Sequence, residues 1–247
     1  MSVKFVSVVL LLAAALAIVP ATASPARAPG KKSCQAGVLH PIGTATAAYA
    51  GVVKSEAAVY KKPGGQQLAR FPKLNENGYP TTFGLVGAVL DRRCSAAWYR
   101  VKLPMRPNGI TGYVRPADVL VQRVTAWIDI DLSSRELRFF TGHKLLLKTS
   151  VAVGSSATPT PVGRFYVDQR IIATNPNGPY GPAALGISAF SNVLTGWSQG
   201  GPIGIHGTNA PWSIGRAVSN GCIRVPNETL KRLFAATVGG EPVVIHP

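Results

Sequence analysis

Ile203-Gly204-Ile205-His206-Gly207-Thr208-Asn209, followed by Ser219-Asn220-Gly221-Cys222-Ile223-Arg224-Val225, is the stretch from which the rest of this 247-residue chain is best read. The run Ile203-Gly204-Ile205 predicts a strand that ends at His206, and Gly221 predicts a tight turn that delivers Cys222. A thiol is a useful nucleophile only as its thiolate, and its free pKa is about 8.5. It therefore needs a base or a positive environment to react near neutral pH. His206, sixteen residues upstream, is the candidate base, and Cys222 the candidate nucleophile. Gly221 has no Cβ, so its backbone can approach a substrate closely. The amide N–H groups of Gly221 and Cys222 are the expected donors to a developing oxyanion, each worth roughly 3 kcal/mol of barrier.

The other thiols and imidazoles sit in different settings. Cys34 and Cys94 both lie in the N-terminal half and are candidates for a disulfide, which an oxidising compartment permits. The count of three is odd, and Cys222 is the thiol expected to stay free. His40, His143 and His246 stand beside Pro, Gly or Lys and read as surface or loop residues. His206 and Cys222 lack the paired spacing of zinc ligands and an evident third ligand, so neither a metal nor a cofactor is expected. Tyr180 and Trp212 either line a substrate groove or pack in the core.

Working outward, Glu228 to Ala236 is the one strong helix prediction. Asn227 is placed to cap it, and Leu230, Leu233 and Phe234 share a face. Gly239-Gly240 ends the helix, and Pro242 to Ile245 reads as a last strand. Upstream, Thr125 to Ile130 alternates, with Trp127 on the face opposite Ile128 and Ile130. Asp131 to Arg135 reads as a hairpin turn before a strand over Glu136 to Phe140. Leu145 to Val153 and Arg164 to Ile172 are further strand candidates. Pro159 to Gly163 and Asn175 to Pro182 are turn-rich loops, the second long enough to act as a lid. From Thr44 to Gln122, short β-type runs alternate with Gly and Pro turns, which suggests a small barrel.

The N-terminus carries a different message. Lys4 precedes an apolar run from Phe5 to Val19, and Ala21-Thr22-Ala23 supplies a small-x-small cleavage pattern, so residues 1–23 read as a signal peptide. An uncleaved anchor is the alternative. Residues 24–43 read as a flexible linker. The chain has 26 Lys and Arg against 10 Asp and Glu, a formal charge of +16. Such a field favours polyanions. The basic residues are dispersed and no nucleic-acid-binding motif is present, so nucleic acid is not an expected partner. Anionic cell-wall polymers or lipid headgroups are the candidates, and a solvated basic surface that keeps the protein near the wall is the better reading.

The paired elements resemble the signature of the L,D-transpeptidase (YkuD-type) catalytic family, a His-Gly-Thr element followed by Ser-x-Gly-Cys-x-Arg. Thr160-Pro161-Val162-Gly163-Arg164-Phe165 resembles the family's Thr-Pro-x-Gly-x-Phe segment, and the likeness spans about residues 123–247. Val-Tyr…Pro-Gly, then Trp-Tyr-Arg-Val…Pro-Asn-Gly…Gly-Tyr-Val, resembles bacterial SH3-like wall-binding modules over about 70 residues. A small β-domain that packs on the enzyme and binds nothing is the other reading of that segment. The resemblance implies a mainly β protein: an SH3-like barrel over 44–121, then a β-sandwich catalytic domain over 122–247 with a short C-terminal helix.

It also implies peptidoglycan chemistry in the cell wall or a periplasm-like space. Cys222 would take the acyl group of a tetrapeptide stem with loss of D-Ala, and an amine of a second stem would resolve the thioester to a 3→3 cross-link. Carbapenems would acylate the same thiol. The carbonyl of Gly207 would orient the His206 ring, while Ser219 and Arg224 would shape the loop and hold substrate carboxylates. Many family members carry a second His before the Gly-Cys pair, where this chain has Asn220, so His206 is left as the base. An L,D-carboxypeptidase that trims the same stems needs the same residues, and a non-catalytic wall-binding protein with a structural thiol is the reading from another class.

Overall fold

The computed structural model describes residues 34–44, 47–198 and 201–247. The expected signal peptide, and the expected linker as far as Ser33, lie outside them. Among the described residues the chain is mainly β with one α-helix, as its short apolar runs predict.

The N-terminal half contributes β1 (Leu39–Pro41), β2 (Ala48–Val53), β3 (Glu56–Tyr60), β4 (Gln67–Pro72), β5 (Thr82–Leu90), β6 (Ala96–Lys102), β7 (Thr111–Val114) and β8 (Val119–Val124). They pair antiparallel in the order β4-β3-β7-β6-β5-β2-β8, with β1 added on β5. Val53, Val59, Phe83, Val101 and Val114, all buried, form one cluster drawn from strands along most of this path. The sheet must therefore wrap around them. The small barrel expected from the turn spacing is realised as a wrapped sheet whose end strands are not hydrogen-bonded to each other. A Cys34–Cys94 disulfide ties the segment before β1 to the β5–β6 turn and leaves Cys222 as the free cysteine among the described residues. Strand β8 runs through position 121–122 and pairs with β2 along its whole length, from Val119↔Val53 to Val124↔Ala48.

The C-terminal half contributes β9 (Ala126–Asp131), β10 (Glu136–Thr141), β11 (Lys144–Ser150), β12 (Val153–Gly154), β13 (Gly163–Ile172), β14 (Ala183–Phe190), β15 (Pro202–His206), β16 (Ala217–Ser219), β17 (Ile223–Arg224), α1 (Asn227–Ala236) and β18 (Pro242–His246). Eight strands follow the order β11-β10-β9-β18-β13-β14-β15-β17, and β12 pairs with β16 apart from them. Period-2 patterning drives this sheet. Ile128 and Ile130 are fully buried, while Trp127 on the other face stacks on its cross-strand partner Phe140 at 4.2 Å. The parallel pairings β9–β18 and β15–β17 need crossovers. Helix α1 serves the return to β18, burying Leu230 and Leu233 over β14 and β15.

The two sheets meet within one compact unit, residues 34–247. Tyr166 on β13 is buried against Gly84 of β5, and its hydroxyl donates to the Lys102 carbonyl at 3.3 Å. Lys102 Nζ in turn donates to the Arg164 carbonyl at 2.7 Å. Asn108 pairs with Phe190 as another strand would, donating to its carbonyl and accepting from its amide. A Cβ at Gly84 would stand 2.9 Å from the Tyr166 ring, which has nowhere to move. Gly84→Val is therefore expected to lower stability by about 1–3 kcal/mol, seen as an earlier midpoint in urea unfolding; an unchanged midpoint would contradict this packing.

Candidate active site

Two cross-strand rows build the floor of an open groove of about 940 Å³. One row is Gln169–Gly186–Gly204 and the other Ile171–Ala184–His206, across β13, β14 and β15. The inward positions between them are large and buried: Leu185, Ile187, Ile203 and Ile205. Three of the outward positions, Ala184, Gly186 and Gly204, are small, which leaves room above the sheet, and Cys222 lies at the end of the floor beside Gly204. Tyr180, from the loop before β14, stands edge-on to the His206 ring at 4.9 Å and lines the groove. Trp212, the other aromatic singled out from sequence, is 62% exposed beside Arg216 and lines no part of it. Neither belongs to the core.

The cysteine loop is held from within and from below. Ser219 Oγ donates to the Cys222 carbonyl at 2.6 Å and accepts the Gly221 N–H at 3.1 Å. Gly221 sits at φ 109°, a conformation that excludes other residues at little less than prohibitive strain. From the loop before β13, Thr160 Oγ1 donates to the Gly221 carbonyl at 2.8 Å and accepts the Gly154 N–H at 2.8 Å. Thr158 Oγ1 and the Ser155 N–H both donate to the Ser219 carbonyl, at 3.0 Å each.

This geometry corrects one expectation. The Gly221 N–H is not available to an oxyanion, because the turn closes on the Ser219 hydroxyl. The Cys222 N–H meets no acceptor among the described residues. It shares a trans peptide plane with the Gly221 carbonyl and so points away from Thr160.

The imidazole is fixed through one of its two nitrogens. His206 Nδ1 lies 2.6 Å from the Gly207 carbonyl, and since a carbonyl only accepts, Nδ1 carries the proton and Nε2 the lone pair. A second correction concerns Asn227. Its side chain makes no cap bond to α1; its Oδ1 accepts the Thr208 N–H at 2.7 Å and braces the loop after His206. Helix α1 begins after Pro226 instead, whose missing N–H costs nothing at a helix start.

Burial drives the His206 imidazole down to about 4; the Gly207 carbonyl opposes this and the Arg224 charge adds to it. Burial likewise pushes the Cys222 thiol up, while the Gly204 amide and Arg224 pull it back. The resting pair at neutral pH is thus imidazole and thiol, both uncharged. The Arg224 guanidinium has no hydrogen-bond or ion-pair partner among the described residues. No cluster of three His, Cys, Asp or Glu among those residues is placed to hold a metal ion.

The sequence reading proposed Cys222, His206, Gly207, Ser219, Gly221 and Arg224, and the fold gathers all six at β15, β16, β17 and their turns. It did not single out Gln169, Ala184, Gly186 and Gly204, which line the same groove. Their signal was present: Ala184, Gly186 and Gly204 alternate with the large apolar Leu185, Ile187, Ile203 and Ile205, as expected when a ligand approaches the outer face closely.

Residues 125–245 match the family model described as YkuD, L,D-transpeptidase catalytic domain. The chain belongs to this family of cell-wall enzymes. The YkuD protein of Bacillus licheniformis is 35% identical over 134 residues, which span 54% of this chain and 71% of that protein. Its namesake in Bacillus subtilis is 34% identical over 119 residues, 48% and 65% of the two chains. Among solved structures, an L,D-transpeptidase from Mycobacterium smegmatis aligns over 67% of this chain and 90% of its own, with 15% identity and a TM-score of 0.41.

A stability test follows from the depressed imidazole. Between pH 4 and 6.5 the unfolded state binds a proton at His206 that the native state refuses, so this group's contribution falls as pH falls through that window. Asp168, raised to about 7 by burial, works in the opposite sense between its unfolded value and pH 7. The comparison is therefore made against His206→Gln. From pH 7 to pH 4 wild type should lose about 3 kcal/mol relative to this variant in urea unfolding; parallel curves would contradict a buried neutral imidazole.

Proposed function

We propose that this chain is an exported peptidoglycan L,D-transpeptidase that joins tetrapeptide stems by 3→3 cross-links through a thioester on Cys222. What carries this reading is one arrangement: a thiol on a glycine turn at the groove floor, an imidazole with Nε2 free, and a backbone N–H turned away from the bonds that hold the loop. The family supports the same chemistry.

In the first half-reaction Nε2 of His206 takes the thiol proton as Sγ attacks the carbonyl carbon of the third stem residue. The Cys222 N–H donates to the oxyanion. Collapse breaks the bond to D-Ala, whose amine leaves with the proton from Nε2. In the second half-reaction an acceptor stem amine attacks the thioester, Nε2 removes its proton, and the thiol is released. Because the resting pair is uncharged, the proton moves as the sulfur attacks, not beforehand. Arg224 supplies the fixed positive charge, favouring the developing anions and offering an unpaired guanidinium to a substrate carboxylate. Gly207 orients the ring, and Ser219 and Gly221 shape the turn. The signal-like N-terminus and the +16 charge support residence at an anionic wall, with the N-terminal sheet as an SH3-like module.

Purified disaccharide-tetrapeptide, resolved by chromatography after incubation, tests the proposal. A cross-linked dimer with free D-Ala is expected; tripeptide without dimer identifies the carboxypeptidase reading, and unchanged substrate the binding-protein reading. Cys222→Ala and His206→Ala should be comparably inactive, each down by about 10³-fold or more, because they act as a unit. A carbapenem should add covalently to wild type and not to Cys222→Ala, as read by intact mass.

A further inference from the structure

Gln169 lies on the groove floor two strands from the nucleophile, and its carboxamide is gripped by the N-terminal sheet. Asn75 Nδ2 and Asn77 Nδ2, both from the β4–β5 loop, donate to Gln169 Oε1 at 3.1 and 2.9 Å. The direction of these bonds is fixed by the loop itself. Asn75 Oδ1 accepts the N–H groups of Asn77 and Tyr79, each at 3.0 Å, so the Asn75 atom facing Gln169 is its NH₂ group. The Gln169 atom it meets must then be oxygen, which turns Nε2 the other way.

That other way is over the floor. A β-bulge at Asp168 re-aims the strand after buried Val167, and a Cβ on Gly186 would stand 2.4 Å from Gln169 Cγ and 2.8 Å from Nε2. Only a glycine beneath it lets the side chain lie there. Gly186 neighbours Gly204, and the Gly204 amide faces the Cys222 sulfur. One strand spacing is about 5 Å, so Nε2 stands roughly 10 Å from the thiol, within the span of two or three peptide residues. Among the described residues it has no acceptor.

We propose that Gln169 is a substrate-binding residue whose Nε2 donates to a carboxylate or carbonyl oxygen of the bound stem peptide, oriented for that task by Asn75 and Asn77. The proposal rests on the reading of Cys222 as the nucleophile. It makes the N-terminal sheet part of the substrate site: Asn77 itself lines the groove. A chain lacking that sheet would keep the thiol and lose the direction of the Gln169 amide.

The test uses the full mature chain, disaccharide-tetrapeptide for kcat and KM, and iodoacetamide labelling of Cys222 as a readout that needs no stem. Gln169→Leu should lower kcat/KM about tenfold, mainly through KM, with labelling unchanged. Asn75→Asp keeps the loop's Oδ1 contacts but sets an oxygen against Oε1. It should lower kcat/KM several-fold in wild type and have no further effect in Gln169→Leu. Gln169→Glu falling well below Gln169→Leu identifies the acceptor as a carboxylate, and equal losses identify a carbonyl. Gln169→Leu within twofold of wild type overturns the proposal alone, and Asn75→Asp costing the same in both backgrounds overturns the orienting role. A wild type that leaves the tetrapeptide untouched overturns the Cys222 reading and this proposal with it.

Discussion

The Thr160 hydroxyl donates to one carbonyl and accepts one amide, and the site is arranged about those two bonds. By holding the Gly221 carbonyl it sets the plane of the Gly221–Cys222 peptide, and thereby the direction of the Cys222 N–H. By accepting the Gly154 N–H it ties that plane to β12, which pairs with β16 just ahead of the cysteine loop. Ser219 closes the loop from the other side, and Thr158 and Ser155 fix Ser219. Each of these partners is a hydroxyl or backbone group with no charge. The loop can therefore be buried without importing a field that would compete with the reacting groups.

Within that frame the electrostatics are spare. Among the described residues the Arg224 charge acts on both His206 and Cys222, and unequally, favouring thiolate and opposing imidazolium. Burial opposes both ions. A thiolate–imidazolium pair would be costly at rest, so in the proposed reaction charge would separate only as the substrate carbonyl is attacked, where the Cys222 N–H and Arg224 would meet the new anion. Asn220, which stands in place of a second imidazole, is exposed and cannot titrate, so it adds no charge beside this pair.

The proposed nucleophile and base were legible because their chemistry shows in residue type: a thiol after glycine and an imidazole closing an apolar run. So were the strands with β-type apolar runs, such as β9, β10 and β13. Strand β14 was not. Its sequence Ala-Ala-Leu-Gly-Ile-Ser-Ala-Phe is rich in small residues of weak strand propensity, yet it lies between β13 and β15 and forms the groove floor. The feature that hid it from a propensity reading is the one that makes it useful. The partners of Gly221 and Asn227 were also beyond sequence. A glycine amide and an asparagine side chain have several options: the Gly221 N–H took the Ser219 hydroxyl two residues back, and the Asn227 side chain reached across nineteen positions to Thr208. The grip of Asn75 and Asn77 on Gln169 spans more than ninety positions and exists only once the two sheets meet.

The central claim is that Cys222 carries the acyl group after His206 has taken its proton. Rapid acid quenching of enzyme mixed with disaccharide-tetrapeptide, followed by peptide mass mapping, tests it most directly. The account predicts an adduct on the peptide containing Cys222, equal to the stem less one D-Ala, and none in His206→Ala. Turnover of the stem with no adduct at Cys222, or an adduct of equal yield in His206→Ala, would contradict it.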